Sequence, residues 1–332
     1  MSKQQRLPTS VLPVEYRAVR GMQLEATNTL RGNSLIMPDT QSTLLSPQML
    51  AQLERMELVS RKIFRGRMKG ERRSKRKGQS VEFSDFRNYV PGDDLRFLDW
   101  NLYARLDRLF LKMFLEEEDL HFYALIDTSA SMGFGEPTKL HFAKQLAAAL
   151  GFIGLVRSDR VKIETLDTAQ RPTPALRGRH NLWRMIEMVE AIEPGGGTSL
   201  VEGVKNFTLR NTGKGIVVLI TDLLDKNGYE AALRYLMARE YDVYVVHVLS
   251  PEEIDPDVTG DLRLIDCEDA DEAEVTVSGP LLNRYRETLA AFVEGARYFC
   301  ARRDITYMRA DSGTPVEELI QGYLQKRGLV RG

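Results

Sequence analysis

The chain has 332 residues, enough for one large domain or two ordinary ones. It is 43% hydrophobic and 28% charged, the composition of a globular protein with a sizeable core. Its net charge of −1 supplies no global field towards nucleic acid or an anionic membrane. Two cysteines, Cys267 and Cys300, form no disulfide framework, and the four histidines show no zinc-ligand spacing. No apolar run is long enough to span a bilayer, and the first residues lack the apolar core of a signal peptide, so the expected location is cytoplasmic.

In chain order, residues 1–43 lack sustained periodicity and read as a poorly ordered tail. A helix is expected over 47–63, with Leu50, Leu53, Met56 and Leu58 in a rough stripe. A basic run follows from Arg61 to Lys77. It reads as a solvated loop, a landing site for an acidic partner, or a nucleic-acid contact. Only Phe64 within it is aromatic, which disfavours binding by base stacking. Residues 80–100 are dense in aromatic, acidic and arginine side chains, with a turn at Pro91-Gly92. Asp93, Asp94, Arg96 and Asp99 are expected to pair locally and dock this stretch against the main sheet, and Trp100 to anchor packing. A strand is expected over 105–115. Together 44–119 form an N-terminal segment of short strands appended to the main sheet.

From Leu120 onward strands and helices alternate. Phe122-Tyr123-Ala124-Leu125-Ile126 is an apolar run of buried-strand character, and Val161–Leu166, Ile216–Ile220, Val243–Leu249 and Ile305–Met308 follow it. Helical stripes lie between them, beginning near Pro137, Leu182, Ser199, Tyr229, Leu281 and Val316. This alternation predicts an α/β fold, a doubly wound and mostly parallel sheet over 120–328. A hairpin is inserted near 261–278.

The chemistry concentrates at strand ends. Asp127-Thr128-Ser129-Ala130-Ser131 follows the first buried strand, and Thr221-Asp222 closes the third. Gly195-Gly196-Gly197-Thr198-Ser199 is a glycine-rich loop that opens a helix. In open α/β sheets the carboxyl edge of the strands is where ligands bind. Asp127, Ser129, Ser131, Thr198 and Asp222 offer hard oxygens there, which suit Mg²⁺, with Mn²⁺ and Ca²⁺ as alternatives.

This ordered set resembles the metal-ion-dependent adhesion site of von Willebrand factor A domains, with Asp-x-Ser-x-Ser, a later Thr and a later Asp. That resemblance implies a Rossmann-like fold in which Ser129 and Ser131 ligate the ion. Thr198 would ligate it directly or through water, and Asp127 and Asp222 would hold coordinated waters. It also implies an open coordination position for a partner's Asp or Glu carboxylate. A second resemblance covers most of the chain. Phe83, Phe86-Arg87, Tyr89, Pro91-Gly92-Asp93, Arg96, Asp99-Trp100 and Ala104-Arg105 are similar to the signature of bacterial domain-of-unknown-function family 58. It implies action with a MoxR-type AAA+ ATPase on a client protein, in maturation or remodelling. Many members carry membrane segments before the signature, and none is visible here.

Two other functions compete with a non-enzymatic binding module. Metal-dependent phosphoryl transfer would use Asp127 as nucleophile, but the second carboxylate of such a motif is replaced by Ser129 and no lysine is evidently placed beside it. Nucleic-acid binding would use Arg61–Lys77. Asp225 is close enough to Asp222 to reach the rim, with helix capping as its expected role.

Overall fold

The computed structural model describes residues 44–60, 83–114, 120–167, 172–195, 199–258, 260–265 and 272–331. The tail 1–43, the basic run Arg61–Lys77 and Thr198 lie outside these residues. The chain divides into two units, Arg65–Asp119 and a larger one made of Met1–Phe64 with Leu120–Gly332. The stretch 44–60 therefore groups with the sheet, and the expected segment 44–119 is split.

The reason is apolar burial. Helix α1 (Pro47–Leu53) starts at Ser46, whose hydroxyl accepts from the Met49 N–H. It stops well short of residue 63. The chain then extends as β1 (Glu57–Leu58), which pairs antiparallel with Val330–Arg331 from the far end of the sequence. Leu44, Leu45, Met49, Leu53, Met56 and Leu58 all join the core of the sheet unit.

In the smaller unit, β2 (Phe83–Asn88) and β3 (Phe110–Phe114) form a two-stranded antiparallel sheet of their own. The strand expected from residue 105 begins late because Asp99 starts a helix instead. Its carboxylate accepts from the N–H groups of Asn101 and Leu102, giving α2 (Trp100–Leu106), which ends at Asp107 with φ 51°. The charges pair within this unit: Arg87 with Asp93, Arg96 with Asp94, and Lys112 with Asp99. Trp100 is not the packing anchor expected. It is 63% exposed and stands edge-on to Tyr103, while Leu98 and Leu111 are buried.

In the larger unit, β4 (His121–Ile126) leads through α3 (Lys139–Val156) to β5 (Arg160–Thr165). Helices α4 (Leu182–Glu190) and α5 (Leu200–Arg210) return the chain to β6 (Gly215–Thr221), and α6 (Glu230–Met237) leads to β7 (Tyr241–Leu249). The one-turn helix α7 (Pro251–Ile254), the antiparallel hairpin β8 (Gly260–Ile265) and β9 (Glu272–Val277), and α8 (Gly279–Ala301) precede β10 (Thr306–Asp311). Helix α9 (Val316–Leu319), a π-helical turn over Ile320–Leu324 and β11 (Val330–Arg331) follow.

Five of these strands form one wholly parallel sheet, in the order β10-β7-β6-β4-β5. Successive side chains point to opposite faces, and both faces are covered. Phe122, Ala124, Ile126, Ile216, Val218 and Ile220 pack with α3, α4 and α1. Tyr123, Leu125, Val217, Leu219 and Val245 pack with α5, α6 and α8. Helix α3 starts at Lys139 and not at Pro137, because the Thr138 hydroxyl accepts from the His141 N–H and so caps it. Most of its side chains are buried, since α1, β1 and α4 cover the flank that faces away from the sheet.

Candidate metal centre

The sheet's winding places the centre. From β4 the chain crosses to β5 on one side, and β6, β7 and β10 then build out on the other. The direction reverses between β4 and β6, and open α/β sheets leave a crevice at the carboxyl ends of the strands at such a point. Asp127 is the residue after β4 and Asp222 the residue after β6. The Asp127 N–H donates to the Ile220 carbonyl at 2.9 Å, continuing the ladder and locking the two ends in register.

Four of the five sequence-derived residues come together here, all buried. One Asp127 oxygen accepts from the Ser129 N–H at 3.0 Å, and the other from the Thr221 hydroxyl at 2.6 Å. The hydroxyls of Ser129 and Ser131 stand 3.0 Å apart. Ser131 donates to Asp222 Oδ2 at 2.7 Å, and Asp222 Oδ1 accepts from the Leu224 N–H at 3.1 Å. Thr198 lies outside the described residues. The residues flanking its loop are tied to the same rim. The Gly195 N–H donates to the Thr128 carbonyl at 2.9 Å, and the Leu200 N–H to Asp225 Oδ2 at 2.7 Å. Asp225 thus caps the start of α5.

Sequence reasoning missed Thr221, Lys139 and Glu253. Lys139 is wholly buried, and its ammonium donates to Asp222 Oδ2 at 2.8 Å and to Glu253 Oε1 at 2.6 Å. Glu253 is held in turn by a capping box at Ser250, accepting from the Ser250 N–H at 2.9 Å while the Ser250 hydroxyl accepts from the Glu253 N–H. One signal for Lys139 existed in the sequence. A cation in the first turn of a helix opposes the helix dipole, so a lysine at that position calls for an anionic partner. The Ser250-x-x-Glu253 spacing marks a capping box in the sequence, but not a partner for Lys139.

The electrostatics of the two aspartates differ. Burial raises the Asp127 carboxyl pKa, and the negative charge of Asp222 adds to the rise. Burial acts on Asp222 in the same sense, but the Lys139 ammonium outweighs it and holds that carboxyl down to about 2. Asp127 makes no ion pair among the described residues. Burial likewise raises the Glu253 carboxyl, against the pull of Lys139.

These donors fit a small hard cation. Adjacent ligands of an octahedral Mg²⁺ at roughly 2.1 Å lie about 3.0 Å apart. The Ser129 and Ser131 oxygens have that spacing. Because Ser131 gives its proton to Asp222, Ser129 donates to Ser131, and one Ser131 lone pair remains for an ion. Among the described residues no three His, Cys, Asp or Glu side chains form a cage, so hydroxyls would be the direct donors. The lysine absent from the phosphoryl-transfer reading is present as Lys139, but it is enclosed and spent on Asp222 and Glu253.

An open, wholly parallel five-stranded sheet with an oxygen cluster at its switch point defines an α/β protein of the Rossmann-like kind. The chain belongs to the family described as Protein of unknown function DUF58, whose model matches residues 85–293. It is 27% identical over 252 residues to the uncharacterized proteins Rv1480 of Mycobacterium tuberculosis and Mb1516 of Mycobacterium bovis, covering 74% of this chain and 79% of each relative. Among solved structures, it is similar to the conserved hypothetical protein BatB from Bacteroides thetaiotaomicron (16% identity, TM-score 0.36, 62% of this chain and 98% of that one). A von Willebrand factor type A structure from Catenulispora acidiphila also matches (12% identity, TM-score 0.36, 66% of this chain and 43% of that one). Among the described residues no helix is long and apolar enough to cross a membrane.

Proposed function

We propose that this protein is a non-enzymatic, metal-dependent protein-binding module of the adhesion-site type. The observation that carries this reading is Asp127, a buried carboxylate with no cationic partner among the described residues, beside two hydroxyls spaced like neighbouring ligands of one ion. A buried charge of that kind is costly until something positive balances it. Ser129, Ser131 and Thr198 would hold the ion, with Asp127 and Asp222 accepting hydrogen bonds from its waters. When bound, Mg²⁺ supplies an electrophilic position that a partner's carboxylate can fill.

The chain's own residues prepare that position. Thr221 and the Ser129 N–H orient Asp127, and Asp222 orients Ser131. The partner is a carboxylate-bearing protein, met in the cytoplasm together with a MoxR-type AAA+ ATPase that remodels it. The test is Mn²⁺ binding followed by electron paramagnetic resonance, alongside capture of partners in Mg²⁺ or in EDTA. Wild-type protein should bind one ion, and Asp127→Ala should lose it with an unchanged circular dichroism spectrum. Metal binding that survives Asp127→Ala, or partner capture indifferent to EDTA, rejects the reading. Turnover of a generic aryl phosphate that needs Asp127 would favour phosphoryl transfer instead.

A further inference from the structure

The candidate centre contains a positive charge of its own. Lys139 is wholly enclosed, and its ammonium is shared between Asp222 and Glu253. We infer that Lys139 is a tethered resident cation that sets the charge of this centre, and so its affinity for a divalent ion. The inference rests on the metal-binding reading above.

Four features support it. First, Lys139 is fixed from two sides. Asp222 is anchored by Ser131 and the Leu224 N–H, and Glu253 by the Ser250 N–H, so the ammonium sits between two immobilised carboxylates. Second, Lys139 and Ser131 both donate to Asp222 Oδ2 and the Leu224 N–H donates to Oδ1, so Asp222 keeps a single lone pair, on Oδ1, for a coordinated water. It can orient Ser131 but cannot turn towards an ion without giving up a bond. Third, the placement is expensive. The lysine is desolvated and stands in the first turn of α3, against the helix dipole. An apolar side chain would fill the space without that cost, so packing alone does not account for a lysine.

Fourth, the charges add up to a divalent site. Asp127, Asp222 and Glu253 with Lys139 leave a net charge of −2 when all four are ionised, which one divalent ion balances. Without Lys139 the Asp222 carboxylate would repel both Asp127 and Glu253, and the metal-free form would be strained by that repulsion. With it, the Asp222–Lys139–Glu253 group keeps one negative charge and Asp127 carries the other, and the ion can come and go.

The experiment uses a charge series in the full chain: Lys139→Met (net −3), wild type (−2) and Glu253→Gln (−1). Glu253→Gln keeps an acceptor for the Ser250 N–H but turns its amide NH2 towards Lys139, so its fold is checked by circular dichroism before affinity is read. Mn²⁺ affinity is read by paramagnetic resonance, and the Mg²⁺-induced rise in thermal midpoint is read beside it. Affinity should fall about tenfold at each step from Lys139→Met to wild type to Glu253→Gln. Lys139→Met should also show the largest Mg²⁺-induced stabilisation, having lost its internal counter-charge. If Lys139→Met fails to fold without metal, the predicted weakening in Glu253→Gln still decides. Equal affinities in the folded proteins, or tighter binding in Glu253→Gln, overturn the inference and leave the metal reading standing. No Mn²⁺ binding by any of the three overturns both. Binding by Lys139→Met alone overturns both, since the wild-type centre would then hold no ion whose affinity Lys139 could set.

Discussion

Asp127 and Asp222 are both buried carboxylates on neighbouring strands, yet they affect stability in opposite directions. The Asp127 pKa lies above its ordinary value of 3.8 in the folded protein. The folded state therefore holds that proton more tightly than the unfolded state does. Stability from this group is complete below 3.8 and falls as pH rises through the folded value. Asp222 titrates at about 2, below its ordinary 3.8, so its contribution is present above 3.8 and lost as pH falls through 2. In EDTA at neutral pH, Asp127→Asn should therefore raise the thermal midpoint by roughly 2 °C, an advantage that vanishes in acid. Asp222→Asn should instead cost about 3 kcal/mol, because Lys139 loses half of its counter-charge. Calorimetry across pH on the two variants separates these cases, and a shift of the same sign in both would contradict the assignment. The oxygen set itself was legible because hydroxyls and carboxylates at strand ends form a pattern along the chain. Lys139 and Glu253 were not, since their meeting depends on where α3 and α7 cross the strand ends.

At the scale of elements, the inner strands β4, β6 and β7 could be read because their side chains are largely apolar on both faces, and β5 because its apolar residues alternate with polar ones. The boundaries missed were set by single polar side chains. Thr138 moves the start of α3 past Pro137, and Asp99 converts the first part of an expected strand into α2. A hydroxyl or carboxylate that caps a helix leaves little trace in periodicity, which explains both errors. The helix expected over 47–63 was too long for a different reason: β1 is recruited by β11 from the opposite end of the sequence, and no local pattern records that pairing. Helix α5, which opens directly after the Thr198 loop, depends on close approach at Gly203. A Cβ there would stand 2.4 Å from the Leu166 carbonyl oxygen. Backbone cannot yield as a flexible side chain can, so Gly203→Ala should destabilise by about 1–3 kcal/mol by pushing α5 off the end of β5. Chemical denaturation measures this, and a neutral substitution would show that the helix shifts freely.

For the molecule as a whole, the sheet unit is assembled from both ends of the sequence. Leu44–Leu58 and Leu329–Val330 share one core with α3, while Arg65–Asp119, between them in sequence, forms a unit of its own. Within the sheet, β4 is the strand flanked by β5 and β6, and helices cover both of its faces. Its backbone amides have no path to water short of global opening. In deuterium oxide, the β4 segment should be among the last to exchange, at a rate that tracks overall stability, and mass spectrometry of peptides containing 121–126 reads this directly. Early exchange there would mean that the sheet opens by parts. The cluster at Asp127 is thus mounted at the ends of β4 and β6, two strands flanked on both sides within the sheet. Its oxygens keep their spacing through every lesser fluctuation, as a rigid claw does and a yielding pocket does not.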